Sequence, residues 1–439
     1  MSVADVLERA RAAARPLCTG TVTGAMGLTI SVDGVTAAVG DIVEIGGDPR
    51  HRVDPLRAEV VALHRDRLTC MPLGEMTGVH VGSRVRPTGR PLQVPVGNAL
   101  LGRVLDGLGR PVDGGPPLAG RARWVDLATQ TPHALARTRV QHPLSFGVRA
   151  LDTLVPAGRG QRLGIFAGSG VGKSTLLAQI TRGTDADVRV IGLIGERGRE
   201  VREFLEENLG AEGMANTVVV VATSDEPPLV RLRAAFVATR IAEEFRDQGR
   251  DVLLLMDSIT RTAMAQREVG LSAGEPPATR GYPPSVFAMM PKLLEKAGTG
   301  AVGSITGLYT VLVEGDDHNE PIADTARSIL DGHVVLTRQM ATAGHFPAID
   351  VLESISRVAS SVTAPHRMAD AREARRLLGA LRDARELIEI GAYTEGSDPL
   401  VDRARVLEPQ LTGFLRQSVE DTTSPEDAWE QLHRIVAGS

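Results

Sequence analysis

Residues 167–175 read AGSGVGKST and carry the strongest chemical pattern in the chain. Glycines in this run let successive backbone N–H groups turn inward around a phosphate, and the helix predicted to follow adds the positive end of its dipole. Lys173, one of only three lysines, is placed to reach the β- and γ-phosphates of a nucleotide. The strict pattern begins with glycine where this chain has alanine, a mild departure because that position only makes the turn. The predicted phosphate-binding residues are Ala167, Gly168, Ser169, Gly170, Val171, Gly172, Lys173, Ser174 and Thr175.

A magnesium site is predicted beside this loop. Ser174 would offer its hydroxyl to Mg²⁺, and the second protein ligand should be an acid that ends a buried apolar strand. Residues 253–257 read LLLMD and fit that description, with Asp257 at the end. The alternative is that Asp257 merely caps the following helix.

Hydrolysis of a bound triphosphate would also need a carboxylate to orient the attacking water. The apolar run 188–195 is followed by Glu196 and Arg197. If that strand neighbours the phosphate-loop strand, Glu196 emerges at the carboxyl edge of the sheet, where Arg197 could meet γ-phosphate oxygens. Spacing alone equally allows a helix start whose charges are solvated.

The elements that must hold these residues follow an α/β pattern from about 160 to 340. Apolar strands are predicted at 162–167, 188–195, 217–223, 251–257, 305–313 and 333–338, with helical stretches such as 228–247 between them. Continuous apolar strands that alternate with helices indicate a mainly parallel sheet covered on both faces. The predicted fold class is therefore α/β with a P-loop core.

Two smaller units flank this core. Short alternating runs between residues 18 and 90, punctuated by Gly and Asp, predict a small β-barrel, and the tail from about 367 is helical. Residues 2–15 have the spacing of an amphipathic helix, which either docks a partner or folds back on its own domain. The predicted division is 1–16 docking helix, 17–92 barrel, 93–365 P-loop α/β domain and 366–439 helical domain.

Composition excludes several protein classes. The 439 residues carry a formal charge of −5, and 42% of them are hydrophobic, which indicates a soluble globular protein. No apolar run approaches the roughly 20 residues of a membrane span, and no signal peptide is visible, so a cytoplasmic protein is expected. Cys18 and Cys70 are too few for a disulfide framework or a metal cluster.

Longer motifs resemble one family. The phosphate loop, GERGREV (195–201), LLLMDSITR (253–261) and PAIDVLESISR (347–357) follow the order and rough spacing of the hexameric RecA-like ATPases related to rotary ATP synthase alpha and beta subunits. The segments LLGRVLDGLGRPVDG (100–114), PPATRGYPPSVFAMMPKLLEKAG (276–298) and VEGDDHNEPIADTARSILDGHVVL (313–336) are more similar to the flagellar and type III protein export ATPases within it. The resemblance is dense over about residues 95–365.

This resemblance implies roles for single residues. Glu196 matches the glutamate that activates water in catalytic members, whereas non-catalytic rotary subunits carry Gln there. Arg357 matches the arginine finger that reaches the γ-phosphate of a neighbouring protomer, and Phe346 matches the aromatic over the adenine ring. The second aromatic of that adenine clamp has no counterpart here, since the nearest position after Phe414 is Val419.

The resemblance also implies partners and a location. A finger supplied in trans requires a ring, which in this family is a homohexamer that hydrolyses ATP with Mg²⁺. A stator-like regulatory subunit would engage the N-terminal helix, and export gate membrane proteins, chaperones and export substrates would complete the partners. The expected location is cytoplasmic, peripheral at the cytoplasmic face of the inner-membrane export apparatus.

Two other functions are weighed against export. An RNA-translocating hexameric helicase needs an N-terminal module whose aromatics stack on bases, but no aromatic precedes Trp124, so no nucleic-acid partner is expected. A rotary ATP synthase subunit would share the ATP chemistry, but the 313–336 segment favours export. The retention of Glu196 and Arg357 disfavours a non-catalytic scaffold.

Overall fold

A closed β-barrel forms the N-terminal part of the molecule. The computed structural model describes residues 18–47, 54–65, 67–313, 320–421 and 423–438, so the helix predicted for residues 2–15 lies outside the described residues. The barrel strands are β1 Gly20–Met26, β2 Thr29–Asp33, β3 Asp41–Ile45, β4 Leu56–His64, β5 Arg67–Pro72 and β6 Arg84–Pro91, in the order β1-β2-β5-β4-β3-β6. Inward-facing residues alternate with exposed ones, as Ile30 and Val32 do in β2, and fill the barrel interior. The predicted barrel is confirmed.

Short strands join the barrel to the next domain. They are β7 Gln93–Val96, β8 Val104–Asp106, β9 Arg123–Asp126, β10 Pro143–Leu144 and β11 Ala157–Gly158. β7 pairs with β9, β10 pairs with β11, and β8 joins the edge of the large sheet described next.

The large sheet contains most of the predicted apolar strands. Its members are β8, β12 Arg162–Ala167, β13 Val188–Glu196, β14 Thr217–Thr223, β15 Asp251–Asp257, β16 Gly298–Thr299, β17 Ser304–Leu312, β18 Gly332–Leu336 and β19 Ile349–Ser356. The order is β19-β18-β12-β17-β15-β13-β14-β8, with β16 paired beside β17. All pairs are parallel except β18–β19 and β16–β17. The expectation of a mainly parallel sheet is therefore confirmed.

Helices cover both faces of this sheet. They are α1 Lys173–Gly183, α2 Gly198–Glu203, α3 Gly210–Met214, α4 Pro228–Asp247, α5 Ile259–Ser272, α6 Pro284–Leu294, α7 Pro321–Ile329, α8 Arg338–Thr342 and α9 Ala359–Val362, with π-helical turns at Ala150–Leu154 and Phe204–Leu209. Successive residues of one strand enter opposite cores: Leu254 and Met256 pack with α4 and α5, whereas Leu253 and Leu255 pack with α1. This two-sided burial explains why the strands are apolar without alternation.

Three helices form the C-terminal part: α10 Pro365–Glu389, α11 Pro399–Leu415 and α12 Pro425–Ala437. Buried residues such as Leu377, Leu411 and Leu432 join the same core as α1. Within the described residues, no helix has both the length and the apolar character needed to span a membrane. The predicted architecture of barrel, α/β core and helical domain is confirmed.

Candidate nucleotide-binding site

The loop between β12 and α1 has the geometry of an anion cradle. Gly170 and Gly172 have φ of +77° and +87°, a region that residues with a Cβ adopt only at a cost. No side chain caps the N-terminus of α1, and its first turn carries no acid. Its free N–H groups are therefore available to bind a phosphate. Buried Val171 anchors the loop, whereas Ser174 and Thr175 are exposed.

The ammonium of Lys173 lies between two carboxylates at the mouth of this loop. Its Nζ atom is 2.5 Å from Oδ1 of Asp257 and 3.6 Å from Oε1 of Glu196. Asp257 is buried at the end of β15 and also accepts a 2.7 Å hydrogen bond from the hydroxyl of Thr310. The structure thus brings together three residues that the sequence assigned to one site.

Glu196 lies at this site although its strand, β13, is not adjacent to β12. β13 does not neighbour the phosphate-loop strand β12, because β17 and β15 lie between them, so that part of the prediction is wrong. The carboxyl ends of parallel strands nevertheless share one edge, and Leu193 pairs with Asp257. β13 continues past that pair through a bulge at Gly195, where φ is +70°, and this extension carries Glu196 to Lys173.

The pKa of the Glu196 carboxyl is close to neutral pH. Its pKa is raised from 4.5 to about 7, first because burial disfavours the charged form and then because Asp257 repels it, while the Lys173 charge opposes the shift. A carboxyl that titrates near neutral pH can accept a proton in that range.

The oxygens of Ser174 and Asp257 fit a shared magnesium site rather than a protein-enclosed one. Among the described residues, no group of three or more His, Cys, Asp or Glu side chains is arranged to hold a metal ion. Mg²⁺ retains water and commonly combines one or two protein oxygens with phosphate oxygens. The donors present are therefore suited to Mg²⁺ that arrives with a nucleotide.

Phe346 lies beside the phosphate loop. Its side chain is 47% exposed, and a Cβ added to Gly172 would lie 3.3 Å from its ring. Phe414 is buried, and the Cζ atom of Arg149 lies 5.9 Å from the centroid of its ring, so this side chain packs inside the protein. Val419, which is half-buried, lies in the loop that follows.

Two predicted residues lie apart from Lys173. Arg197 is 80% exposed and pairs with Glu200 at 3.6 Å. Arg357 follows β19, whose last residue pairs with Gly332 at the start of β18, and its backbone N–H donates to Asp331. Asp331 also binds Arg162, the first residue of β12. Arg357 therefore lies at the amino end of β12, whereas the phosphate loop follows its carboxyl end. The five residue steps of β12, at about 3.3 Å each, separate the two by roughly 16 Å.

The structure adds two residues that the sequence patterns did not single out. Arg261, four residues after Asp257, packs against Gly195, where an added Cβ would meet its Cβ at 3.0 Å. Its Nε atom is buried and has no hydrogen-bond partner among the described residues. Thr310 contacts Asp257 from β17. The available signal for Arg261 was a cation one helical turn after the acid, whereas Thr310 is one of several hydroxyl side chains in β17 and had no distinct signal.

Comparisons with known sequences match nearly the whole chain. The nucleotide-binding domain of the ATP synthase alpha/beta family matches residues 147–356, its beta-barrel domain matches 22–89, and the T3SS EscN ATPase C-terminal domain matches 363–434. The flagellum-specific ATP synthase of Pseudomonas aeruginosa is 47% identical, over 97% of this chain and 94% of that protein. The type 3 secretion system ATPase of Xanthomonas euvesicatoria is 49% identical, over 95% and 94%.

Solved structures give the same result. The assembled ATPase EscN of the enteropathogenic E. coli type III secretion system superposes with a TM-score of 0.88 at 44% identity, covering 95% of this chain and all of that one. EscN in complex with its central stalk EscO gives 0.87 at the same identity and coverage. The chain therefore belongs to the ATP synthase alpha/beta family, together with the flagellum-specific ATP synthases and the type 3 secretion system ATPases.

Proposed function

We propose that the chain is a Mg²⁺-dependent ATPase that hydrolyses ATP to ADP and phosphate. The observation that supports this most directly is the position of the Lys173 ammonium, between Asp257 and Glu196 at the mouth of a glycine-rich loop. A cation held there by two acids can transfer its interactions to phosphate oxygens when a nucleotide enters. Asp257 and Glu196, once Lys173 binds phosphate, then have separate roles.

Each residue has a distinct role in this proposal. The N–H groups of residues 168–175 and the Lys173 ammonium bind the β- and γ-phosphates, and Ser174 and Asp257 would hold Mg²⁺. The metal ion, when bound, neutralises charge on the phosphate oxygens. Glu196 orients a water molecule in line with the γ-phosphate and accepts its proton, which its raised pKa favours. Phe346 stacks on the adenine, with Val419 replacing a second aromatic.

Arg357 would act on the site of a neighbouring subunit. It cannot reach its own phosphate loop, because the length of β12 separates them. A head-to-tail ring would place each Arg357 against the next subunit's site, and we propose a homohexamer. Arg197, exposed at the same edge of the sheet as Glu196, would reach γ-phosphate oxygens only after a side-chain rearrangement.

The cellular process is proposed from the relatives. Flagellum-specific ATP synthases and type 3 secretion system ATPases match over almost their whole length, which supports a role in flagellar or type III protein export. We propose that ATP hydrolysis releases substrates from chaperones, unfolds them and delivers them to a membrane export gate. The chain would lie peripherally at the cytoplasmic face of the inner membrane. A stator-like subunit would bind its N-terminal segment, and a stalk like EscO would be a further partner.

The Glu196→Gln variant tests the enzymatic proposal. It keeps the size of the side chain but cannot accept a proton, so we expect turnover to fall at least about 100-fold while MgATP binding persists. Phosphate release and equilibrium binding of a fluorescent ATP analogue are measured on the same samples. Glu207→Gln, which alters an exposed acid eleven residues away, should retain turnover. Normal hydrolysis by Glu196→Gln would refute the assigned role.

A further inference from the structure

The loop between α11 and α12 contacts the helix that begins at the phosphate loop. We define this α11–α12 loop as residues 416–421. The side-chain amide of Gln179 donates to the carbonyl of Ser418 at 3.2 Å, and the guanidinium of Arg182 donates to the carbonyl of Val419 at 3.3 Å. Both donors lie on α1, so the helical domain and the phosphate-binding helix are joined by hydrogen bonds.

Gln417 connects the same loop to Phe346. Its backbone N–H donates to the carbonyl of Phe346 at 3.0 Å. Its side chain is almost completely buried: Oε1 accepts from the N–H of Arg149 at 2.8 Å, and Nε2 donates to the carbonyls of Gly147 and Asp421, both at 2.9 Å. Three of the four hydrogen-bonding positions of the amide are therefore used, two of them across the domain boundary and one within the loop, which fixes the backbone that holds Phe346.

Arg149 holds the two ends of the loop from the core side. Its guanidinium donates to the carbonyls of Phe414 and Arg416 at 2.8 and 2.5 Å, and to the side chains of Asp421 and Thr423 at 2.6 and 3.0 Å. A planar guanidinium that uses all three nitrogens in this way leaves little freedom for the loop. The loop position is thus set by the core and not only by the helices it connects.

The two ends of the nucleotide site depend differently on this loop. α1 is also held by Leu176, Leu177 and Ile180, which are buried in the core. Phe346 is half-exposed, and its backbone carbonyl is bound by the α11–α12 loop. Loosening the loop should therefore disturb the base end of the site more than the phosphate end.

We propose that Gln417 is a positioning residue for the nucleotide base, which acts through the Phe346 carbonyl and makes ATP affinity depend on the docking of the helical domain. This inference rests on the proposed function, since it requires ATP to bind with its adenine against Phe346. Gln417 does not touch the reacting atoms. Its effect is on where the Phe346 ring lies.

The test compares a ligand that has a base with one that lacks it. Dissociation constants of MgATP and of magnesium tripolyphosphate are measured for the wild-type chain and for Gln417→Ala. We expect the constant for MgATP to rise by about 10-fold, a typical size for coupling between sites, and that for tripolyphosphate to change less than about 2-fold. Gln410→Ala, an exposed glutamine on α11, is the matched control and should change neither constant. Gln417→Met, which keeps the side-chain length, replaces Gln417→Ala if the alanine variant does not fold.

A second comparison asks whether the effect passes through Phe346. In the background Phe346→Leu, the added change Gln417→Ala should cause less than about 2-fold further loss of MgATP affinity, because the residue it positions is gone. Equal weakening of both ligands, an unchanged MgATP constant, or a fully additive loss in the double variant would each overturn the inference. A wild-type chain that binds neither ligand would overturn the proposed function itself, which is a different result.

Discussion

Lys173 carries the positive charge around which the candidate site is arranged. Replacing it with alanine removes the cation that phosphate oxygens would bind, so we expect the affinity for MgATP to fall by about 10- to 100-fold, the range for a charge-assisted hydrogen bond. Because buried Asp257 also loses its cationic partner, the melting temperature of the variant should fall too. Titration of a fluorescent ATP analogue measures the first effect and thermal unfolding the second.

Lys292 supplies the control for this experiment. It is an exposed lysine on α6, and Lys292→Ala should leave both ATP affinity and stability near the wild-type values. A folded Lys173→Ala variant with unchanged ATP affinity would remove the phosphate-loop assignment.

The raised pKa of Glu196 predicts a pH-dependent cost to the folded state. Between its ordinary pKa of 4.5 and its folded value of about 7, the folded chain holds a proton that the unfolded chain releases. Its contribution to folding stability therefore falls as pH rises through this window, and the full cost is present above about pH 7. The Glu196→Gln variant has no carboxyl at this position, so this pH-dependent cost is absent from it.

The measurement is a comparison of melting temperatures without nucleotide. The melting temperature of Glu196→Gln minus that of the wild type should increase from about pH 5 to about pH 8, because only the wild type bears the cost of the buried charge. A difference that is the same at both pH values, or that shrinks as pH rises, would mean that Glu196 is not held in the environment seen here.

At the scale of elements, the bulge in β13 determines where Glu196 lies. Gly195 has φ of +70°, and a Cβ there would lie 3.0 Å from the Cβ of Arg261. Gly195→Ala should therefore strain the bulge by about 1–2 kcal/mol and shift Glu196. We expect ATP turnover to fall about 10-fold or more while ATP binding changes little, since a small misplacement of a catalytic group is costly.

Gly198→Ala is the matched control for the bulge. Gly198 begins α2, its φ is not in the left-handed region, and a Cβ there would meet no atom within 4 Å. It should keep normal turnover. A Gly195→Ala variant that is as active as this control would show that the bulge does not position Glu196.

The sequence predicted individual elements better than their arrangement. The apolar runs 162–167, 217–223 and 251–257 and the helical stretch 228–247 have the bounds of β12, β14, β15 and α4, because turn residues flank continuous apolar segments. The insertion of β17 and β15 between β12 and β13 was not predictable in this way, since pairing partners far apart in the chain decide it. β19, which runs antiparallel to β18, was not among the predicted strands.

The candidate site was predictable where its residues follow a local motif. Lys173 begins α1 and Asp257 ends β15, two elements that the sequence pattern indicates, and the structure brings the two side chains together. Arg261 was missed because an arginine on an amphipathic helix carries no signal of its own in a chain with 46 arginines. Its contact with Gly195 depends on the packing of α5 against β13.

At the scale of the whole molecule, the proposed role of Arg357 requires that more than one chain form the site. The sheet separates this arginine from its own phosphate loop, while Glu196, Lys173 and Asp257 lie together within one chain. A lone chain would therefore bind ATP but lack the cation that completes charge stabilisation in the transition state. Loss of such a finger costs about 10³-fold or more in related phosphoryl-transfer enzymes.

The most direct test is the specific ATPase activity of the purified chain over a wide range of protein concentration, with the molecular mass determined on the same samples. We predict that activity per chain rises cooperatively with the fraction assembled, that samples composed of monomers are nearly inactive, and that Arg357→Ala assembles to the same extent without activity. Monomers that hydrolyse ATP at the full rate per chain, or an Arg357→Ala assembly with normal turnover, would contradict a site completed between subunits.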